Sequence, residues 1–449
     1  MREFGQWKRG PWKRAAMCTQ PRRRQTTGRA AAGCASHMLF TVIAVVRHTV
    51  CRVSADLDGA CSSPRPPGLA VLAREWTRIG CIGFGGPPAH IVLLRELCVQ
   101  RRGWLIDEEF EDAIATTNLL PGPGSTQLAI FCAWRVRGPV GAVVGGLGFV
   151  LPGLLVTVLL AALFLAGAPP TWVRGAGAGA GAAVGAVALQ AGVSLLRPGW
   201  SRVAGAARAR WIAYVLLGIA AAATVGPWLV IVLLGCGVFE LAWRRPRNSR
   251  TTLRVHAWPV VGAVIAAGGA SGGLVALAWT ALKVGALSYG GGFVIIPLMQ
   301  ADAVGQYHWM TDAQFLNAVA IGQVTPGPVV HTVAVVGYAA AGIGGALLAS
   351  VIAFAPSFSF ILIGAERFDR LRQNATVRAF LGGAAPAAIG AIVGSCIPLA
   401  GALTEPWQFG VLSGAAFVLL ALRRGAVVTL LAAGAIGAAV ALNGGPLPT

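Results

Sequence analysis

Residues 118–127 read NLLPGPGSTQ, and residues 323–332 read QVTPGPVVHT. Both place a Pro-Gly-Pro triplet inside apolar sequence. Proline removes a backbone donor and glycine permits a sharp turn, so each triplet breaks a helix. At membrane depth such backbone is tolerated only where protein buries it or a wet cavity receives it. The stretches 109–137 and 314–342 are therefore read as helical hairpins or broken helices. A helix that restarts after such a break presents free N–H groups and a positive dipole end, a ready anion site. Pro121, Gly122, Pro123 and Gly124 make the first break, with Ser125, Thr126 and Gln127 as further donors. Pro326, Gly327 and Pro328 make the second, where His331 takes the place of Thr126. Asn118 and Gln323 are matched amides just ahead of the breaks. The competing reading is a pair of structural kinks with satisfied caps.

The two breaks belong to a longer repeat with an offset of 205 residues and no gap from residue 78 to 123. Arg78 falls on Lys283, Gly80 on Gly285, Phe84 on Tyr289, and Gly85 and Gly86 on Gly290 and Gly291. Trp104, Asp107 and Phe110 fall on Trp309, Asp312 and Phe315. Shared low complexity would not align Trp, Asp and Pro-Gly-Pro together. The chain divides into a basic extension (1–67), a first repeat (69–243), a basic linker with a connecting helix (244–273), a second repeat (274–442) and a short tail (443–449).

Composition agrees. Of 449 residues 56% are apolar and 12% charged, yet the net charge is +20. A soluble domain runs nearer 25% charged, whereas a polytopic membrane protein confines its cations to the edges of apolar spans. Residues 1–67 hold 12 of the 36 Lys and Arg and read as a disordered cytoplasmic extension, or as sequence upstream of a later start such as Met38. The remaining apolar segments are expected near 69–86, 139–166, 175–196, 211–225, 228–243, 257–272, 274–292, 344–364, 379–400, 407–421 and 425–442. The fold class is all-α and polytopic. Arg95, Arg101, Arg102, Arg135 and Arg137 lie in the first repeat, while 300–342 holds no Lys or Arg. Arg-rich short loops stay cytoplasmic, so the repeats are expected to be inverted, as in secondary transporters that hold substrate at the repeat interface.

Within that frame Arg78 and Lys283 stand out as matched cations in apolar segments. A cation there is a functional candidate by default, and two brought together would suit a dianion; alternatively each snorkels to an interface. Gly83, Phe84, Gly85, Gly86 and Pro87, with Tyr289, Gly290, Gly291 and Gly292, either let backbone approach a ligand or allow close helix crossing. Asp107 and Asp312 are expected to cap helices, with a capping box from Thr311 to Gln314. Glu75 and Glu240 are weaker candidates for ion coupling. Neither Gly-rich run continues into Lys-Ser/Thr, so no Walker-type phosphate loop is read. The nine cysteines form no Cys-x-x-Cys pair, and neither metal nor cofactor is expected.

The motif RIGCIGFGGP at 78–87 with Ala89, His90 and Ile91, then LPGPG at 120–124 with Gln127, resembles the chromate ion transporter family. In the second repeat Tyr289 to Gly292, Pro297, Leu298, Trp309 and TPGP at 325–328 carry the same likeness, which runs from about 69 to 442, as in long two-domain members. The resemblance implies a multi-pass protein of the bacterial inner membrane that exports chromate under the membrane gradient and confers chromate resistance. Sulfate, a tetrahedral dianion of similar size, stays open as substrate. The expected partners are such a dianion and the lipid bilayer; proton coupling and a homodimer are left open, and no nucleic acid is expected. A membrane-embedded enzyme is the rival from another class, and it lacks a metal-ligand cluster or a nucleophile-base pairing in the sequence. A lipid- or nucleic-acid-binding scaffold driven by the basic extension is a third.

Overall fold

The structure, a computed structural model, describes residues 67–118, 120, 122–165, 169–224, 228–244, 273–288, 292–365, 368 and 374–448. The basic extension up to residue 66, most of the 244–273 linker with its expected helix, and Pro121, Tyr289, Gly290 and Gly291 lie outside these residues. The chain divides into two units at Pro64, and the second, Arg65–Thr449, holds everything described below.

This unit is helical throughout its described residues. The first repeat runs α1 (Leu69–Ile82), α2 (Pro87–Arg95), α3 (Asp107–Thr117), α4 (Gly124–Phe164), α5 (Thr171–Ser201), α6 (Ala207–Thr224) and α7 (Leu229–Arg244). The second runs α8 (Leu274–Leu287), α9 (Ile295–Gln300), α10 (Asp312–Val324), α11 (Thr332–Gly364), α12 (Ala375–Gly394), the short α13 (Cys396–Gly401), α14 (Pro406–Leu420) and α15 (Ala426–Leu442). Irregular features recur in register. A π-helical turn follows α2 at Glu96–Arg101 and follows α9 at Ala301–Gln306. α4 kinks at Arg137 and Gly138, and α11 kinks at Ala341 and Gly342, an offset of 204. A one-residue deletion therefore separates the breaks from the kinks.

Among the described residues, four stretches are long and apolar enough to cross a membrane: Gly124–Phe164, Thr171–Ser201, Val329–Gly364 and Ala375–Gly401. α1 and α8, with 14 residues each, extend about 21 Å, short of a hydrocarbon core of roughly 30 Å. The expected spans 69–86 and 274–292 are thus shorter helices packed against longer ones.

The repeats are interleaved. α4 and α11 pack on each other at the centre, with α1 laid on α4 and α8 on α11. Further out, α5 packs on α14 and α15 of the second repeat, while α12 packs on α6 and α7 of the first. Lipid removes most of the hydrophobic gain from pairing helices, so such contacts rest on close approach of small residues. A Cβ on Gly390 would strike the Val215 carbonyl across α12 and α6. At Gly175 it would meet Gly437 and Ala441 of α15. The alternating Gly and Ala of 175–181 supply this close approach along α5.

Local capping differs from expectation at one point. Thr311 caps α10 in a full capping box with Gln314, but Asp107 and Asp312 sit inside the first turn and make no cap bond. Asp107 instead accepts from Arg95 Nε at 3.1 Å, and Asp312 from Gln300 Nε2 at 2.9 Å. Each ties its helix to the end of the preceding one.

Gly390→Val is expected to cost about 1–3 kcal/mol through overpacking, read as a lower unfolding temperature in detergent. Gly410→Val, whose Cβ would meet nothing within 4 Å, is expected to leave it unchanged. Equal effects at the two sites would contradict the packing described.

Candidate functional site: the crossed helix breaks

Each helix break is covered by the other repeat. Gly122 and Gly327 have φ of +122° and +99°, conformations that glycine reaches without strain. The Gly327 N–H donates to the Gly83 carbonyl at the end of α1, at 2.9 Å. Gly153 of α4 lies flat against the Pro326 carbonyl and the His331 ring, where a Cβ would not fit. Thr157, one turn on, bonds Thr325 at 3.2 Å. At the matched break, a Cβ on Gly122 would lie 3.3 Å from the Gly285 carbonyl of α8 and 3.4 Å from Ser357 Oγ of α11. Gly153 and Ser357 are equivalent in the 204 register, so the two dockings are reciprocal.

The polar groups at this crossing are buried and largely unused. Thr126 Oγ1, Ser288 Oγ and Ser357 Oγ are fully buried and make no hydrogen bond. Both His331 nitrogens lack a well-formed bond, although the Val150 carbonyl lies beside the ring. His331 packs edge-on to Phe354 at 5.4 Å, one turn from Ser357. His90, also fully buried, places Nε2 2.9 Å from the Gly83 carbonyl and leaves Nδ1 without a partner. The first backbone bond of α4 runs from Gln127 N–H to the Pro123 carbonyl at 3.0 Å, which sets the amides of Gly124, Ser125 and Thr126 ahead of the helical ladder. An unpartnered buried polar group costs about 1–3 kcal/mol, and native structures hold few without a reason such as an absent water or ion.

Other sequence candidates fall elsewhere. Asn118 is exposed at the end of α3, with Oδ1 near Gly124. Gln323 is half-buried, its Nε2 unpartnered. Phe84 faces outward at 46% exposure. Arg78 and Lys283 share no partner. Arg78 is half-exposed and lies 3.8 Å from Glu75, which Arg74 and Arg102 also hold. Lys283 is largely but not fully buried, 2.5 Å from the buried Asp302, whose Oδ2 also accepts from Thr280 at 2.9 Å. In the 205 register Thr280 stands at Glu75 and Tyr307 at Arg102. Each repeat thus keeps a cation on a buried carboxylate, with the acid moved from the helix in one to the π turn in the other. Glu240, the other buried acid described, is claimed by Arg210, Arg244 and Tyr214.

Ser288, Ser357, Thr157 and Asp302 were not singled out by sequence. Ser357 had a signal only through the shifted register, and Asp302 only as a lone acid in an apolar stretch. His90 stood in the motif that carries the family likeness.

Interleaved helices, paired breaks and spans of membrane length define an all-α polytopic membrane protein made of two repeats. The chain belongs to the chromate transporter family, whose model matches residues 70–241 and again 275–438. It is 33% identical to the chromate transport protein of Cupriavidus metallidurans over 74% of this chain and 82% of that one. Against the chromate transport protein of Pseudomonas aeruginosa it is 31% identical, over 76% of this chain and 83% of the relative. A transporter of Methanocaldococcus jannaschii is 26% identical over 69% and 78%. These relatives are transport proteins, a non-enzymatic role. No solved structure matches the chain.

Breaking one partner of a buried ion pair typically costs about 3–5 kcal/mol, whereas replacing both by apolar groups is near neutral. Lys283→Met or Asp302→Asn alone is therefore expected to destabilise the second repeat, and Lys283→Met with Asp302→Leu to recover most of the loss, in detergent melts. A double variant as unstable as the singles would show that the pair does more than neutralise itself.

Proposed function

We propose that this protein carries a tetrahedral oxyanion, chromate foremost, outward across the bacterial inner membrane, and thereby confers chromate resistance. The observation that carries the reading is the set of buried, unpartnered hydroxyl and imidazole groups at the crossed breaks. They are neutral donors beside a helix N-terminus, and each buried carboxylate among the described residues already holds a cation. A site of that make-up suits an anion better than a metal cation. Family membership supplies chromate, and the names of the relatives agree. Sulfate has the same shape and charge and is the second substrate the donors would accept. In this account Thr126, Ser288, Ser357 and His331 bind the oxyanion with the amides of Gly124 to Thr126, and Gly122 and Gly327 let the chain turn there. Arg78 and Lys283 stay on their own carboxylates. The repeats are of opposite orientation, and their interleaved helices rock about the breaks to alternate access.

Everted vesicles test the transport reading: wild-type protein is expected to accumulate chromate under an imposed gradient, with sulfate as competitor, and no accumulation would overturn it. Thr126→Val and Ser357→Ala remove unpartnered hydroxyls, so stability should hold or rise while chromate uptake falls about tenfold, the worth of one hydrogen bond to a charged group. Unchanged uptake in both variants would remove the breaks from the substrate path. Orientation is tested by labelling single cysteines at Arg101 and His308 with an impermeant thiol reagent. Opposite sidedness is expected, and labelling from one side would refute inversion.

A further inference from the structure

The two repeats differ at one matched place more than the fold requires. In the first repeat, the groove between α1 and the segment formed by α2 and its π turn is lined by Glu75, Arg78, Ile79, Leu93, Glu96 and Arg101, among others. Arg74 and Arg102 join it through Glu75. At the positions of Arg74, Glu75, Arg78, Glu96, Arg101 and Arg102 the second repeat carries Trp279, Thr280, Lys283, Ala301, Gln306 and Tyr307. It still forms the same helix and the same π turn. Four arginines and two glutamates are therefore not needed to shape this backbone.

A topology signal does not account for them either. Orientation needs cations near the ends of spans; it does not need a groove, nor acids that hold the cations in place. Here Glu75 is buried and lies 3.8 Å from both Arg74 and Arg78, and Glu96 lies 4.0 Å from Arg101. The guanidinium groups stay open: the side chains of Arg78 and Arg101 are 51% and 48% exposed. The cluster keeps a net charge of +2. Its floor is apolar, from Ile79, Leu93 and Leu97, and Ile82, Phe84 and Val92 are exposed large apolar side chains on the same two helices and the turn between them. A small inorganic anion would gain nothing from that apolar surface. An amphiphile with an anionic head would use both parts.

We propose that this groove binds the headgroup of an anionic phospholipid. Arg78 and Arg101 hold the phosphodiester, as guanidinium groups pair two-pronged with phosphate. An acyl chain lies over Ile82, Phe84 and Val92. Basic clusters beside membrane helices recognise anionic lipid of the cytoplasmic leaflet in this way. The site is independent of which ion the breaks carry.

The test uses the purified full chain in detergent, with added dioleoyl phosphatidylglycerol or dioleoyl phosphatidylcholine. The anionic lipid is expected to raise the unfolding temperature more than the neutral one and to remain bound in native mass spectrometry. Arg78→Gln with Arg101→Gln should lose that difference, and Arg101→Gln alone, which among the described residues pairs with Glu96 at 4.0 Å, should lower the bound fraction severalfold. Arg208→Gln, at an exposed arginine of another turn, should keep both. Retention of the full difference in the double variant and in Arg101→Gln would overturn the proposal. So would equal protection of the wild-type protein by inorganic phosphate, since a soluble anion would then suffice.

Discussion

Backbone in lipid has no water to satisfy it, and the rest of the structure answers to that constraint. Within apolar sequence the chain breaks between α3 and α4 and between α10 and α11, and the peptide groups freed there must find partners within the protein. The Gly327 N–H finds the Gly83 carbonyl of the other repeat, and Gly122 sits against the Gly285 carbonyl and Ser357. A break of this kind is stable only with the second repeat laid over it, so neither repeat is complete alone. The same exchange recurs outside the breaks, where α5 and α12 each pack on the last two helices of the other repeat.

The cost of this arrangement is concentrated where function is proposed. Hydroxyls of Thr126, Ser288 and Ser357 and the ring of His331 are buried without well-formed hydrogen bonds. Charges are treated the opposite way. Glu75, Asp302 and Glu240 are each buried against cations, so the buried carboxylates already hold their counter-ions and the patch of neutral donors stands apart from them. Such a patch can release a dianion as well as bind it, which a site built on two fixed cations would do less readily.

Much of the fold was legible from the sequence. Pro-Gly-Pro, the paired Trp and Asp, and the cation-poor 300–342 stretch encode repeat and membrane class through composition and register, which are local properties. The breaks were legible as interruptions of helices for the same reason: Pro and Gly fix backbone wherever they stand. The partners that cover them were not, because Gly153 and Ser357 are related only after a one-residue deletion shifts the register, and each belongs to the opposite repeat, 173 residues from Pro326 and 235 residues from Gly122. Arg78 and Lys283 show the other limit. Matched position suggested a shared ligand, but a side chain's partner depends on what packing brings beside it. Leu97 of the first repeat became Asp302 in the second, and that one change gives Lys283 its own counter-ion.

The central claim is that the oxyanion sits at the crossed breaks, among neutral donors. Diffraction at the chromium or selenium edge from crystals soaked with chromate or selenate tests it most directly. An anomalous peak within hydrogen-bond reach of Thr126, Ser357 or His331 is the predicted result. A peak on Arg78 or Lys283, with none at the breaks, would contradict it.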